Sequence, residues 1–223
     1  MAPGDELTRE QLLDRAGMLR ERVLALGGEQ VEILAVTKGF GSWSLQLAAE
    51  CGFQSIGESY AQELTAKWND LNDAQREAID IHFIGGMQTN KVRKVAEIVN
   101  VWQTVDRSSL VQELSKRCPG SSVMVQVNLA ENRSQGGCRL TEAGQLISLA
   151  TSSGLEVMGV MAIGPQDNAD SIRAAYRELV LFADDQGLRH RSIGMSNDLD
   201  IAIESGSTMV RIGTALFGDR PIR

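Results

Sequence analysis

Between about Leu7 and Leu26 the apolar residues Leu12, Leu13, Leu19, Val23, Leu24 and Leu26 recur at helical spacing until Gly27-Gly28 ends the pattern, which predicts an N-terminal helix. The next run, VEILAVT from Val31 to Thr37, is almost continuously aliphatic and β-branched. Such a run fits a strand covered on both faces, as in a parallel sheet. From there short apolar runs alternate with amphipathic ones. The pattern predicts helices over Ser42–Cys51, Ser59–Leu71, Thr89–Ile98, Ser108–Arg117, Thr141–Ser152, Asn168–Asp185 and Asp198–Ser205. Further strands are expected at Phe53–Gly57, Ile79–Ile84, Val101–Val105, Ser122–Leu129, Leu155–Ala162, Ser192–Met195 and Thr208–Gly213.

Eight strands in βα order, joined by right-handed crossovers, leave a closed barrel or an open doubly wound sheet. No GxGxxG or GxxxxGKS loop follows the first strand, which favours the barrel. No internal repeat, low-complexity tract or long linker divides the chain. The expectation is an α/β protein of one domain over residues 1–223: a (β/α)8 TIM-type barrel over about 31–218 preceded by an additional N-terminal helix over about 7–26.

Composition narrows the function classes. The chain is 43% hydrophobic and 23% charged, within the range of folded globular proteins. A formal net charge of -7 disfavours a general role on nucleic acid, and the KVRK stretch at Lys91–Lys94 reads as a solvated helix face. The start MAPGDELTREQ has neither the basic n-region nor the apolar stretch of a secretory signal, and no apolar run approaches the roughly 20 residues that span a bilayer. A cytoplasmic protein without membrane partners is expected. Cys51, Cys118 and Cys138 are odd in number and widely spaced, which fits free thiols, and with only His82 and His190 besides them no metal site is expected.

In a (β/α)8 barrel the active face is built from the residues that follow each strand. Here those are Lys38 after strand one, Glu58-Ser59-Tyr60 after strand two, Gly85-Gly86 and Gln88–Lys91 after strand three, Ser196-Asn197-Asp198 after strand seven, and Gly213-Thr214 after strand eight. An amine leaving a buried strand end is partly desolvated, and this favours the neutral nucleophile that captures an aldehyde. An ordinary strand-end lysine that reaches solvent is the plainer reading of Lys38. Ser196 and Asn197 ahead of one helix and Gly213-Thr214 ahead of another fit a phosphate held at loops seven and eight, although Ser196 and Thr214 taken singly fit plain helix capping. Arg211 sits in the apolar strand TMVRIG and needs a partner, either an ion pair or a ligand.

The blocks AVTKGF, GESYAQE, HFIGGMQTNK, GVMAI and GMSNDLDIAIESGSTMVRIGTALFG run in order from Val31 to Gly218, and together the sequence resembles the pyridoxal phosphate homeostasis proteins, a family similar to the barrel domain of alanine racemase. The resemblance implies a fold-type III barrel that binds pyridoxal 5′-phosphate as a Schiff base on Lys38. It further implies that Ser196, Gly213 and Thr214 hold the phosphate, that Arg211 faces the pyridine nitrogen, and that Ser59, Met195 and Ile212 complete the cofactor-binding set. No catalytic residue is assigned. The chain departs from the family at Ser59, where many members read GEN, and at Gln135 in ENRSQGGC, a polar position often filled by lysine. The implied function is vitamin B6 homeostasis by a monomer that holds pyridoxal phosphate, with apoenzymes that need the cofactor as candidate partners.

Two other readings use the same lysine. A racemase-like enzyme of fold type III would need an acid/base group opposite Lys38, for which Tyr60 is nearest in sequence because Tyr176 falls in a predicted outer helix. It would also lack the β-rich second domain of alanine racemases. A Schiff-base aldolase acting on a sugar phosphate would need no cofactor.

Overall fold

A computed structural model describes residues 6–130 and 135–220. The polar start of the chain over residues 1–5, the ENRS portion of the ENRSQGGC loop and residues 221–223 lie outside the described residues. Eight parallel strands among the described residues close into a barrel in the order of the sequence. They are β1 (Glu32–Val36), β2 (Ser55–Glu58), β3 (Asp80–Phe83), β4 (Val101–Val105), β5 (Ser122–Asn128), β6 (Glu156–Ile163), β7 (His190–Ser192) and β8 (Met209–Ile212). β8 closes on β1 with Leu34 opposite Arg211 and Ala35 opposite Ile212.

Helix α1 (Arg9–Ala25) precedes the barrel, and helices α2 (Ser42–Glu50), α3 (Ala61–Asn69), α4 (Asp73–Glu77), α5 (Thr89–Val92), α6 (Ser108–Arg117), α7 (Leu140–Ser152), α8 (Ala169–Asp185), α9 (Leu199–Glu204) and α10 (Thr214–Phe217) follow in turn. α1 opens with a capping box between Thr8 and Gln11 and buries Leu12, Ala16, Leu19 and Val23, one stripe at helical spacing. Arg15 Nη1 donates to the Leu216 carbonyl at 3.0 Å and ties α1 to α10. No helix among the described residues is long and apolar enough to cross a membrane.

Two apolar layers follow from the alternation of strand side chains. The larger lies between sheet and helices and includes Ala35, Ile56, Ile81, Trp102, Val160 and Ile212. The smaller takes Leu34, Val101, Met124, Met161 and Met209 from five different strands, which places it inside the barrel. Unbranched methionines suit this irregular interior. The interior also holds a polar layer, where Gln103 Nε2 lies 2.7 Å from His82 Nδ1 and 3.1 Å from Met209 Sδ.

Two local expectations are corrected, and one further helix is found. The helix expected over Thr89–Ile98 is a single turn, α5, and the chain then proceeds through turns, with Lys94, Val95 and Ile98 amides donating to carbonyls three residues back. Val92 and Val95 are buried, and a three-residue spacing serves such tight turns. Strand seven spans His190–Ser192 rather than Ser192–Met195, because Gly194 takes φ +98, outside the strand region. Helix α4 was not expected: it is polar with no buried residue, and its signal is the Asn72/Gln75 capping box.

Burial, followed by the neighbouring His190, pushes the His82 imidazole down to about 4. With its folded value below its unfolded one, His82 contributes stability above about pH 6.5 that is lost as pH falls through about 4. Chemical denaturation at pH 7 and pH 4.5 is expected to show a loss about 2–3 kcal/mol larger in the wild type than in His82→Leu, and equal losses would exclude this origin.

Candidate functional site

The C-terminal ends of the strands open into a cavity of about 560 Å³. Its walls are apolar at Val36, Ile84, Met161 and Ile163. Its polar lining comes from Lys38, Ser196, Asn197, Arg211, Thr214 and Arg220, with Met195, Gly213 and Ala215 beside them. A smaller cavity of about 370 Å³ lies at the other end, against α1 and the starts of β1 and β2, with no lysine in its lining.

Lys38 follows β1, and Gly39, at φ +82, turns the chain out of the strand direction. Burial draws the Lys38 ammonium below its ordinary value; the cations Arg220 and Arg211 act in the same direction, while Glu58 and Glu63 oppose them. The amine therefore gives up its proton more readily than a solvated lysine.

Arg211 is 5% exposed and forms no ion pair among the described residues. Its Nη1 donates to the Ser192 carbonyl and, at 3.0 Å, to Ser192 Oγ, and its Nη2 donates to the Ala162 carbonyl at 2.7 Å. Burial presses against its charge, and Tyr176 and Asp198 sustain it. The fork is thus fixed to β6 and β7 beside the cavity, and no carboxylate among the described residues stands within ion-pair distance of it.

The loop after β7 is held from outside. Asp198 Oδ1 accepts the Met195 amide at 2.6 Å, and Tyr176 Oη donates to Asp198 Oδ2 at 2.5 Å. Tyr176 on α8 is fully buried, and burial with the Asp198 charge pushes its phenol well above the usual tyrosine range. Gly164 leaves room for this pair, since a Cβ there would stand 2.6 Å from Tyr176 Oη. Gly194 is equally constrained, because a Cβ there would stand 2.4 Å from Ala202 Cβ.

The structure brings Lys38, Met195, Ser196, Arg211, Gly213 and Thr214 to one cavity. Ser59 and Ile212 do not line it. Ile212 faces the layer beneath the helices, and Ser59 packs on the end of β3, where a Cβ at Gly85 would stand 2.2 Å from the Ser59 carbonyl oxygen. Ser59 Oγ is buried without a hydrogen-bond partner among the described residues. Gln88–Lys91 and the half-exposed Tyr60 also stand outside the lining. Gln135 accepts from Asn128 Nδ2 through its carbonyl at 2.9 Å.

Sequence reading missed Arg220, Asp198 as a loop anchor, and the buried Lys67. Arg220 has no pattern to mark it. Lys67 with Glu63 carries the i,i+4 spacing of an ordinary surface pair, and only the fold shows it turned inward.

The set of groups fits pyridoxal phosphate. One desolvated amine can take an aldehyde, hydroxyls and an amide at loops seven and eight can take a phosphate, a fixed guanidinium can face a ring atom, and aliphatic walls can cover ring faces.

Comparison with known proteins agrees in kind. Residues 12–221 match the alanine racemase N-terminal domain. A pyridoxal phosphate homeostasis protein of Escherichia coli K12 is 35% identical over 207 residues, covering 86% of this chain and 87% of that protein. One from Pseudomonas aeruginosa is 36% identical over 223 residues, covering 95% of each. PipY of Synechococcus elongatus, solved with pyridoxal phosphate bound, superposes with a TM-score of 0.78 at 26% identity, covering 93% of this chain and all of that one. Alanine racemase from Bacillus anthracis shares the fold at a TM-score of 0.70 and 19% identity, with this chain spanning 57% of its length.

Tyr176→Phe removes one hydrogen bond to a carboxylate, worth about 1.5 kcal/mol. Amide hydrogen exchange at Met195 is expected to quicken about tenfold in this variant while the barrel strands keep their protection. Unchanged exchange at Met195 would mean that Tyr176 does not secure the loop.

Proposed function

Because this chain belongs to the pyridoxal phosphate homeostasis proteins, whose barrel is the alanine racemase N-terminal domain, we propose that it binds pyridoxal 5′-phosphate on Lys38 and serves vitamin B6 homeostasis rather than turnover of a substrate of its own. The observation that carries this reading is the single cavity that gathers the Lys38 amine, the Arg211 guanidinium, and Ser196, Gly213 and Thr214.

In this reading Lys38 holds the aldehyde carbon as a Schiff base. Ser196 and Thr214 offer hydroxyls to the phosphate, Gly213 lets the backbone approach it, and the Met195 and Ile212 backbones flank those loops. Arg220 adds a cation at the same mouth, which suits an anionic ligand. Ser59 stands outside the lining, and its Oγ meets no hydrogen-bond partner among the described residues. When bound, pyridoxal phosphate supplies an aldehyde for an amine and a ring that can draw electrons from an attached carbon. Arg211 would face the ring nitrogen, where its charge would disfavour a second positive charge and so weaken electron withdrawal by the ring. Racemase-like turnover is supported less well, since Tyr60 lies outside the lining and Tyr176 is bound to Asp198. The proposal extends to a cytoplasmic monomer that exchanges the cofactor with apoenzymes.

The protein purified without added cofactor is expected to be yellow or to turn yellow with pyridoxal phosphate, and borohydride is expected to fix the cofactor to the Lys38 peptide. Lys38→Ala is expected to lose that absorbance and that adduct. A wild-type protein that stays colourless with added pyridoxal phosphate would overturn the reading.

A further inference from the structure

Lys67 lies on an outer helix, yet its side chain is 4% exposed and its Nζ points to the residues around Lys38. An ammonium has three N–H donors. Lys67 meets three acceptors: the Thr37 carbonyl at 2.7 Å, Glu58 Oε1 at 2.7 Å and Glu63 Oε1 at 2.8 Å. Each acceptor bears on the same tripeptide. Glu58 Oε1 also accepts from Thr37 Oγ1 at 2.7 Å, and Glu63 Oε1 accepts the Gly39 amide at 2.6 Å. The backbone is thus held on both sides of Lys38 by groups that converge on one nitrogen.

We propose that Lys67 is a positioning residue for Lys38: it clamps the peptide on either side of the amine and occupies the two carboxylates that would otherwise draw that amine into an ion pair. The inference rests on the reading of Lys38 as the residue that captures pyridoxal phosphate.

The charges around Lys38 support the second half of this role. Arg211 on β8 and Arg220 beyond α10 favour its neutral form, whereas Glu58 on β2 and Glu63 on α3 favour its ammonium. Glu58 is fully buried, and its Oε2 has no partner among the described residues. Burial pushes its carboxyl up, and Lys67 is the largest influence holding it down. Without Lys67, Glu58 and Glu63 keep their pull toward the ammonium form of Lys38 with no lysine paired against it. Breaking a buried pair from one side leaves a stranded charge, whereas removing both charges together is far milder.

Two variants separate field from position. The full chain, freed of bound carbonyl compounds, is acetylated with acetic anhydride across a pH series, and the Lys38 peptide is followed by mass spectrometry. In Lys67→Met the midpoint for Lys38 is expected to rise by about one pH unit, slowing acetylation at neutral pH about tenfold. In the double variant Glu58→Gln with Lys67→Met, the midpoint is expected to return to the wild-type value, since the cluster regains its net charge. Capture of added pyridoxal phosphate, followed by visible absorbance, is nevertheless expected to stay about tenfold slower than wild type at every pH, because the clamp is gone.

A folded Lys67→Met protein with an unmoved midpoint would overturn the proposal, as would a double variant that captures the cofactor at the wild-type rate. If Lys67→Met does not fold, the double variant decides. A wild type that takes up no pyridoxal phosphate would refute the cofactor reading instead, and the acetylation midpoints, which need no cofactor, would still decide whether Lys67 sets the state of Lys38.

Discussion

Strand β8 pairs with strand β1, and this closure makes neighbours of residues that lie far apart in the sequence. Leu34 stands opposite Arg211 and Ala35 opposite Ile212, so the chain leaving β1 at Lys38 emerges beside the chain leaving β8 at Gly213 and Thr214. An open sheet in the same strand order would place them at opposite edges. Closure also ends the two free edges that an open sheet exposes, and it turns the strand interiors into a packed core with Leu34, Met161 and Met209 at its centre. A rigid floor of this kind lets the loops above it hold polar groups in fixed relation.

Most of the architecture was legible because parallel strands in a barrel are short, aliphatic and β-branched, and the helices between them carry one buried stripe. VEILAVT reads as a strand in isolation and is one. Elements went astray where local signals were outweighed or faint. The apolar positions after α5 suit tight turns as well as a helix, the positive φ at Gly194 ends β7 early, and α4 buries nothing that a pattern could register. Among the candidate site residues, Lys38, Met195, Ser196, Gly213 and Thr214, beyond the ends of β1, β7 and β8, reached the cavity together with Arg211 of β8. Ile212, still within β8, points the other way because strand side chains alternate, and Ser59 turns against β3.

What the sequence could not display is the support beneath the site. Lys67 and Glu63 look like a surface pair, and Tyr176 looks like one more residue of an outer helix. Their side chains reach inward because the helices pack tightly on the strands, so each polar head meets backbone or carboxylate at the strand ends. Buried charge is tolerated there because the N–H donors of Lys67 and Arg211 meet backbone, hydroxyl and carboxylate acceptors. Such matching fixes the Arg211 guanidinium and the backbone around Lys38 and Met195 before any ligand arrives, which lessens the ordering that binding requires.

The tie between Arg15 and the Leu216 carbonyl joins the first helix to the last one described, across nearly the whole length of the chain. Together with the β1–β8 closure it concentrates long-range contacts at the seam where the cavity lies. Contacts of such wide sequence separation slow folding, since a long loop must close before they are rewarded. During synthesis the seam has to wait for β8 to leave the ribosome, so half-made chains lack the pocket altogether. A cofactor that chooses this pocket therefore meets only finished molecules and, by favouring the closed seam, holds them shut.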